Sequence, residues 1–268
     1  MTIAAAAAAA RARIRTGEWT GPTPALAPGA VQANLAILPA SWADDFALLC
    51  DRNPRPLPLI ERTEVGSVVP TETAPSGDLR VDVPRYRVYR DGRLAEEVDD
   101  LRGLWRDDFV AFLLGCSFTF DSILARAGID VRHLTCDCNV PMYITSRSTV
   151  AAGRLHGPLV VSMRPICTHE IDRVVVLTGR LAAVHGAPVH VGDPAELGIR
   201  DIGSPDYGDA VPINPDEVPA FWACGVTAQA VAAASRVPLM ITHAPGHMFI
   251  TDRSIDDIAS AAGAGQSI

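Results

Sequence analysis

The sequence predicts an α/β protein, and three features predict it. Short runs with strand character alternate along the chain with segments of helical period. Gly, Pro and Asp-Gly punctuate most of the junctions between them. The chain has 268 residues, 48% hydrophobic and 20% charged, enough to bury a large core as one big domain or two smaller ones.

The elements follow in order. Residues 3–16 form an Ala-rich helix ending at Gly17, and Gly21, Pro22, Pro24, Pro28 and Gly29 make an irregular arm. Asn34–Leu38 is a strand stopped by Pro39. Ser41 opens a helix with Asp44 at the capping-box position and Trp42, Phe46 and Leu49 on one face. Three prolines between Asn53 and Pro58 make a loop, and residues 61–82 are a polar, turn-rich excursion. Val83–Tyr89 alternates as a strand, with Asp91-Gly92 as a hairpin turn. Val131–Thr135 reads as a strand, residues 139–143 as a fixed loop, and Leu159–Met163 as a buried strand ending at Arg164-Pro165. Thr168 caps a helix from His169 to Leu181, although three consecutive valines make a strand the rival. Pro188–Val191 is a strand, Asp193-Pro194 starts a short helix, and residues 200–216 form a loop. Phe221–Cys224 runs into Gly225, and Thr227 caps an Ala-rich helix through Ser235. Leu239–Thr242 and Met248–Thr251 are strands flanking the turn His243–Gly246. The small, Gly-rich tail after Ser260 is expected to be mobile.

The stretch FLLGCSFTFD at 112–121 concentrates chemistry. A thiol, two hydroxyls and a carboxylate follow an apolar run inside six residues. Trp105, Phe109, Phe112 and Leu113 recur at helical spacing, which predicts a helix ending on Gly115; a buried strand over Val110–Leu114 is the alternative. A second helix follows, capped by Ser117 or Thr119 and stopped by Gly128. Cys116 and Ser117 then stand at a helix N-terminus, which favours anions and lowers a thiol's pKa. The plainer reading is a buried cysteine and a capping serine.

Composition excludes several functions. The net charge is −8 with no basic stripe, so nucleic acid is not an expected partner. All 23 basic side chains are arginine, which removes Schiff-base and P-loop lysine chemistry. No apolar stretch approaches the roughly 18 residues of a membrane span. The N-terminal alanines precede Arg11, Arg13 and Arg15, the reverse of a secretory signal. The six cysteines contain no C-x-x-C pair and read as reduced thiols of a cytoplasmic protein.

Four blocks in fixed order carry a family resemblance: GCSFTFD at 115–121, NVPMYIT at 139–145, VVSMRP at 160–165 and THAPGHMFITD at 242–252. GEWTGPT at 17–23, QANLAILPA at 32–40, VPRYRVYRDG at 83–92, GAPVHVGDP at 186–194 and FWACGVT at 221–227 agree with them. From about residue 10 to 255 the chain resembles the hydro-lyases of the DUF1445 (UPF0317) family, related to D-glutamate cyclase. The resemblance implies a three-layer α/β/α sandwich built from residues 1–145 and 211–268, with a smaller two-layer α/β domain inserted at 146–210. It implies conversion of D-glutamate to 5-oxo-D-proline with loss of water. The chain departs from the family pattern at Asp121, where Glu is usual, at Ile144, where a basic residue is usual, and at Ser146, where Asn is usual.

Cyclisation needs a base for the ammonium, an acid for the departing oxygen, donors for the tetrahedral oxyanion and a clamp for the remaining carboxylate. By residue type, His243 is the acid or base, with Asp252 orienting it from the neighbouring strand. Cys116 moves protons or, with Ser117 and nearby N–H groups, holds the oxyanion. Thr119 and Asp121 belong to the same turn. Arg164 is the carboxylate clamp, and Asn139 and Tyr143 fix the ligand's polar ends. A structural ion pair for Arg164 is nearly as strong a reading, and packing roles stand beside Tyr143 and Asn139. The His243–His247 and Cys136–Cys138 spacings are not read as metal sites, and no cofactor is expected. The expected partner is a small carboxylate, with a homo-oligomer possible. Dehydration of a β-hydroxy acid and ligand binding without turnover are the competing functions.

Overall fold

The computed structural model describes residues 2–24 and 26–257; the tail after Ser260 lies outside them. Eleven strands form two antiparallel sheets among the described residues. The larger sheet has the order β2 (Leu59–Arg62), β5 (Phe109–Gly115), β1 (Ala30–Pro39), β10 (Leu239–His243), β3 (Tyr86–Arg90), β4 (Arg93–Val98). A further strand, β11 (Phe249–Ser254), also pairs with β1. The smaller sheet has the order β6 (Met142–Ser148), β7 (Pro158–Cys167), β9 (Glu217–Ala223), β8 (His190–Val191). It draws on residues 142–223 and thus includes the 146–210 segment.

Alternation along the strands sets the two faces of the larger sheet. Ala36, Leu38, Val110, Phe112, Leu114 and Met240 pack against α2 (Ala40–Arg52) and α6 (Thr227–Ala234). Leu35, Ile37, Phe109, Ala111, Leu113 and Ile241 face the turn-rich chain around Ala74, Leu79 and Leu101. β5 is therefore a strand buried on both faces, and the predicted helix ending at Gly115 is overturned. Its unbroken apolar run is what a doubly covered strand requires, and the helical spacing arose because Trp105, outside the strand, packs edge-on against Phe109. Val131–Thr135 is likewise not a strand. Arg132–Thr135 makes one helical turn, α4, from which Arg132 reaches Asp130 and Glu217 while His133 turns inward.

Other expectations held in outline. α1 (Ile3–Arg15) is capped by Thr2, and the hairpin turn has positive φ at both Asp91 and Gly92. Residues 171–179 are helical, α5, with Val174 buried and Val176 exposed, so an amphipathic face outweighs β-branching. Asp193 caps its short helix by accepting the Ala195 N–H, but the side-chain caps expected for α2 and α6 did not form. α2 starts after Pro39, and Asp44 pairs with Arg62. Thr227 bonds the Val160 backbone instead of capping α6.

β5 and β10 both run antiparallel to β1, so the thiol turn after β5 and the histidine turn after β10 leave the sheet at one end. They meet β1 at adjacent residues. Asn34 donates to the Gly115 carbonyl at 2.6 Å, and Leu35 contacts His243. A side chain at Gly115 would collide with Ala183, and one at Gly225 with Asn34, so the thiol turn and the turn between β9 and α6 need glycine to approach this closely.

Candidate active site

The thiol turn leads into α3 (Phe118–Arg126), which is packed against β7. Arg164, on β7, is fully buried and bonds Asp121 through both carboxylate oxygens, at 2.6 and 2.9 Å. Its remaining donors go to Ser117 Oγ at 3.0 Å and Ser162 Oγ at 2.9 Å, and its plane lies over Phe120 and Trp222. His133 Nε2 is 3.2 Å from the same carboxylate, close enough for charge pairing but off the line of a hydrogen bond. Burial pushes the Asp121 carboxyl upward, but Arg164 and His133 outweigh it and hold its pKa at about 2. Arg164 is thus engaged by a structural carboxylate and two serines, buried and away from the cleft at the histidine turn. Ser117 and Asp121 are engaged with it.

Cys116 also departs from expectation. Burial drives its thiol pKa up, and the helix N-terminus does not compensate. Cys224, at the matching turn before α6, is pushed up to about 11 for the same reason. Both remain thiols at neutral pH, so Cys116 offers a weak S–H donor and not a base. Thr119 Oγ1 is buried without a hydrogen-bond partner. Tyr143 donates its hydroxyl to Ile202 O at 2.6 Å, a packing role. Asp252 pairs with Arg11 at 2.8 Å. It lies about four residues along β1 from His243, roughly 13 Å at ~3.3 Å per residue, so it does not orient that ring.

The histidine turn opens onto a different space. A cleft of about 400 Å³ is lined by Arg85, Arg87, Glu97, Asn139, Tyr207 and His247, with Asp206, Asp209 and the 244–245 backbone completing it. One wall is β3, where Arg87 stands opposite Thr242 and Arg85 accepts the Ala244 N–H. The other wall is the segment 206–209, which is laid along β6. Tyr207 exchanges backbone bonds with Met142, Asp206 accepts the Ile144 N–H, and Asp209 accepts the Asn139 N–H. Asn139, one of the predicted contacts, lies against Gly246. Arg87 pairs with Glu97 at 2.7 Å, while the exposed Arg85 side chain has no partner among the described residues. A hollow beside Ile14–Trp19 and Asp99–Arg102 also carries charge, but its arginines are already paired with Asp82 and Asp100, and it has no histidine.

The two histidines of the turn present opposite nitrogens. The Leu35 N–H points at His243 Nδ1 from 3.1 Å, nearer than the Leu35 carbonyl at 3.3 Å. That contact makes Nδ1 the acceptor and assigns the proton to Nε2. His247 Nδ1 faces the Pro245 carbonyl at 3.1 Å; a carbonyl only accepts, so Nδ1 carries the proton and Nε2 a free lone pair. Burial lowers both pKa values, that of His243 to about 4, so both rings are neutral at pH 7. One neutral imidazole can donate and the other can accept.

Residues 110–252 match the D-glutamate cyclase family. A Rubrobacter xylanophilus protein named "Putative hydro-lyase" is 58% identical over 247 residues, covering 92% of this chain and 95% of its own. A relative of the same description from Geobacillus kaustophilus is 55% identical over 254 residues, covering 94% and 97%. The chain belongs to the D-glutamate cyclase family. It is a lyase of the hydro-lyase kind, D-glutamate cyclase-like, as the resemblance implied. A nitrogen repressor-like protein from Methanococcus jannaschii aligns with 93% of the chain and 98% of its own at TM-score 0.38 and 9% identity, too loose to carry an argument.

Within this D-glutamate cyclase family chain, the departures at Ile144 and Ser146 fall outside the cleft lining. Asp121 sits in the buried ion pair. Among the described residues no helix is long and apolar enough to cross a membrane, and no three of His, Cys, Asp and Glu gather as metal ligands. Sequence reasoning passed over Arg85 and Arg87. Their signal was present in VPRYRVYRDG: two arginines two residues apart on an alternating strand share one face.

Proposed function

We propose that the protein converts D-glutamate to 5-oxo-D-proline and water in the cleft between β3 and the 206–209 segment. The observation that carries this reading is the placement of Arg85 and Arg87 beside the His243–His247 turn. Glutamate brings two carboxylates and an ammonium. Arg85 and Arg87 supply two guanidinium groups for the former, and Glu97, Asp206 and Asp209 supply carboxylates near the latter. His247 Nε2 takes the proton from the ammonium. The amine nitrogen then bonds to the side-chain carboxyl carbon. The arginine that holds the side-chain carboxyl donates to the oxygen on which charge builds. The nitrogen, still carrying one proton too many in the tetrahedral intermediate, gives up a second one through His247; the C–O bond breaks, and the departing oxygen, having received both protons shed by the nitrogen, leaves as water.

The division into 1–145 with 211–268 and an inserted 146–210 belongs to the same proposal, and supports a cleft between two bodies. Arg85, Arg87, Asn139 and His247 fall in the first, and Tyr207 in the second. The partner is the small carboxylate itself, with neither nucleic acid nor membrane, and a homo-oligomer is compatible with it. Six free thiols, three of them buried, support a cytoplasmic location.

Proton NMR of the purified protein with D- and L-glutamate tests the reading. The lactam is expected from D-glutamate, and loss of turnover in His247→Gln. An alkene or keto acid from a hydroxy-acid panel would assign dehydration instead. Tight carboxylate binding without any product would assign a binding protein.

A further inference from the structure

Gln229 is a buried amide in the Ala-rich helix α6, flanked by Ala228 and Ala230. An amide in such surroundings costs stability unless both its ends are bonded. Both are. Its Oε1 accepts from the Tyr89 hydroxyl at 2.9 Å, and its Nε2 donates to the His243 carbonyl at 3.1 Å. Thr242 Oγ1 donates to the same carbonyl at 3.0 Å. Tyr89 stands two residues after Arg87 on the same face of β3. The amide therefore links the strand that carries the arginines to the peptide that carries the histidine. A leucine or methionine would fill the space with no polar atoms to satisfy, so packing alone does not call for glutamine here.

We propose that Gln229, itself oriented by Tyr89, is a positioning residue that seats the His243 imidazole on β1 and so fixes the head of the turn that carries His247 into the cleft. Its catalytic consequence rests on the cyclase reading. The seating of the ring does not. His243 is the last residue of β10, and beyond it the chain leaves the sheet for the turn. The ring on Leu35, the carbonyl on Gln229 and Thr242, and the following N–H on Arg85 hold it at that exit. Loss of the Gln229 bond leaves the carbonyl to Thr242 alone and the peptide hinged on its N–H to Arg85, a looser seat that draws Nδ1 off the Leu35 N–H.

The test uses the full chain labelled with 15N-histidine, with His243→Gln assigning the resonance. In the wild type, the His243 ring is expected as the Nε2–H tautomer, neutral down to about pH 4. In Gln229→Leu and in Tyr89→Phe, its nitrogen shifts should move towards a mixed-tautomer average, with titration returning towards ordinary histidine. With D-glutamate as substrate, kcat should fall by roughly tenfold or more while KM stays within about twofold, because reach is disturbed and binding is not. Gln229→Glu keeps the acceptor for Tyr89 but removes the N–H for His243, and replaces the leucine variant if that one does not fold. Unchanged His243 shifts and titration in a folded variant would overturn the proposal. So would a lower melting temperature with kcat and its pH profile intact. If the wild type leaves D-glutamate untouched, the cyclase reading fails, and the NMR result still decides for or against Gln229.

Discussion

The Arg164 cluster and the Arg85–Arg87 cleft use the same side-chain types, arginine, carboxylate and histidine, to opposite ends. Around Arg164 the charges are sealed and consumed by one another: the carboxylate takes both oxygens to one guanidinium, and two serines take its remaining donors. In the cleft, Arg85 is unpaired, Arg87 shares only a half-exposed Glu97, and a histidine nitrogen is left open. Residue type marks both places alike. What separates them is whether the protein has already satisfied the charge, because a satisfied buried pair has no bonding capacity left for a ligand.

That contrast can be broken most forcefully at Arg164. Arg164→Met leaves Asp121 buried without its counter-ion and should cost about 3–5 kcal/mol in urea unfolding. A variant that unfolds like the wild type but loses activity would make Arg164 a substrate clamp after all.

Acid should separate the two regions next. His185 and His243 are buried and neutral, each with a pKa near 4. The unfolded chain takes up protons below about 6.5 when the folded one does not, so stability present above that pH should fall between about 6.5 and 4. The full shift amounts to something on the order of 3 kcal/mol per ring. Asp121, held near 2, adds a separate loss from about 3.8 downward. Urea midpoints that stay flat from pH 6.5 to 4 would show that these rings are charged in the native state.

In the cleft, Arg85→Gln and Arg87→Gln should each raise KM for D-glutamate about tenfold, or ~1.4 kcal/mol, while moving stability by less than about 0.5 kcal/mol. Equal KM values would remove β3 from substrate binding. The smallest effect is expected at Thr119. Its buried hydroxyl has no partner, so Thr119→Val should be neutral or stabilise by up to about 1 kcal/mol with KM unchanged. A raised KM there would return the thiol turn to the binding site.

Much of the architecture was legible because the signals were local. Asp91-Gly92, Asp193-Pro194 and the alternation of residues 83–89 each name their own geometry. β5 was not legible, because a strand covered on both faces has no polar side to reveal a period of two. The family blocks marked the thiol turn and the histidine turn, but not that both leave the sheet at one end or that they open onto different spaces. The pairing of Arg164 with Asp121 was not legible: the two lie 43 residues apart, and only the packing of α3 against β7 decides that they meet. His247 was not singled out as an acid or base, since the Pro245 carbonyl that frees its second nitrogen is a property of the folded turn.

The ring of His243 stands where a neighbouring strand's peptide would otherwise meet the Leu35 N–H, between the end of β10 and the start of β11. A truncation there opens a gap in the fabric of the sheet as well as deleting an imidazole, so an alanine scan would confuse collapse of the scaffold with loss of chemistry. Glutamine, whose side-chain oxygen can receive the same N–H, is the replacement that keeps the weave closed and lets the missing ring speak for itself.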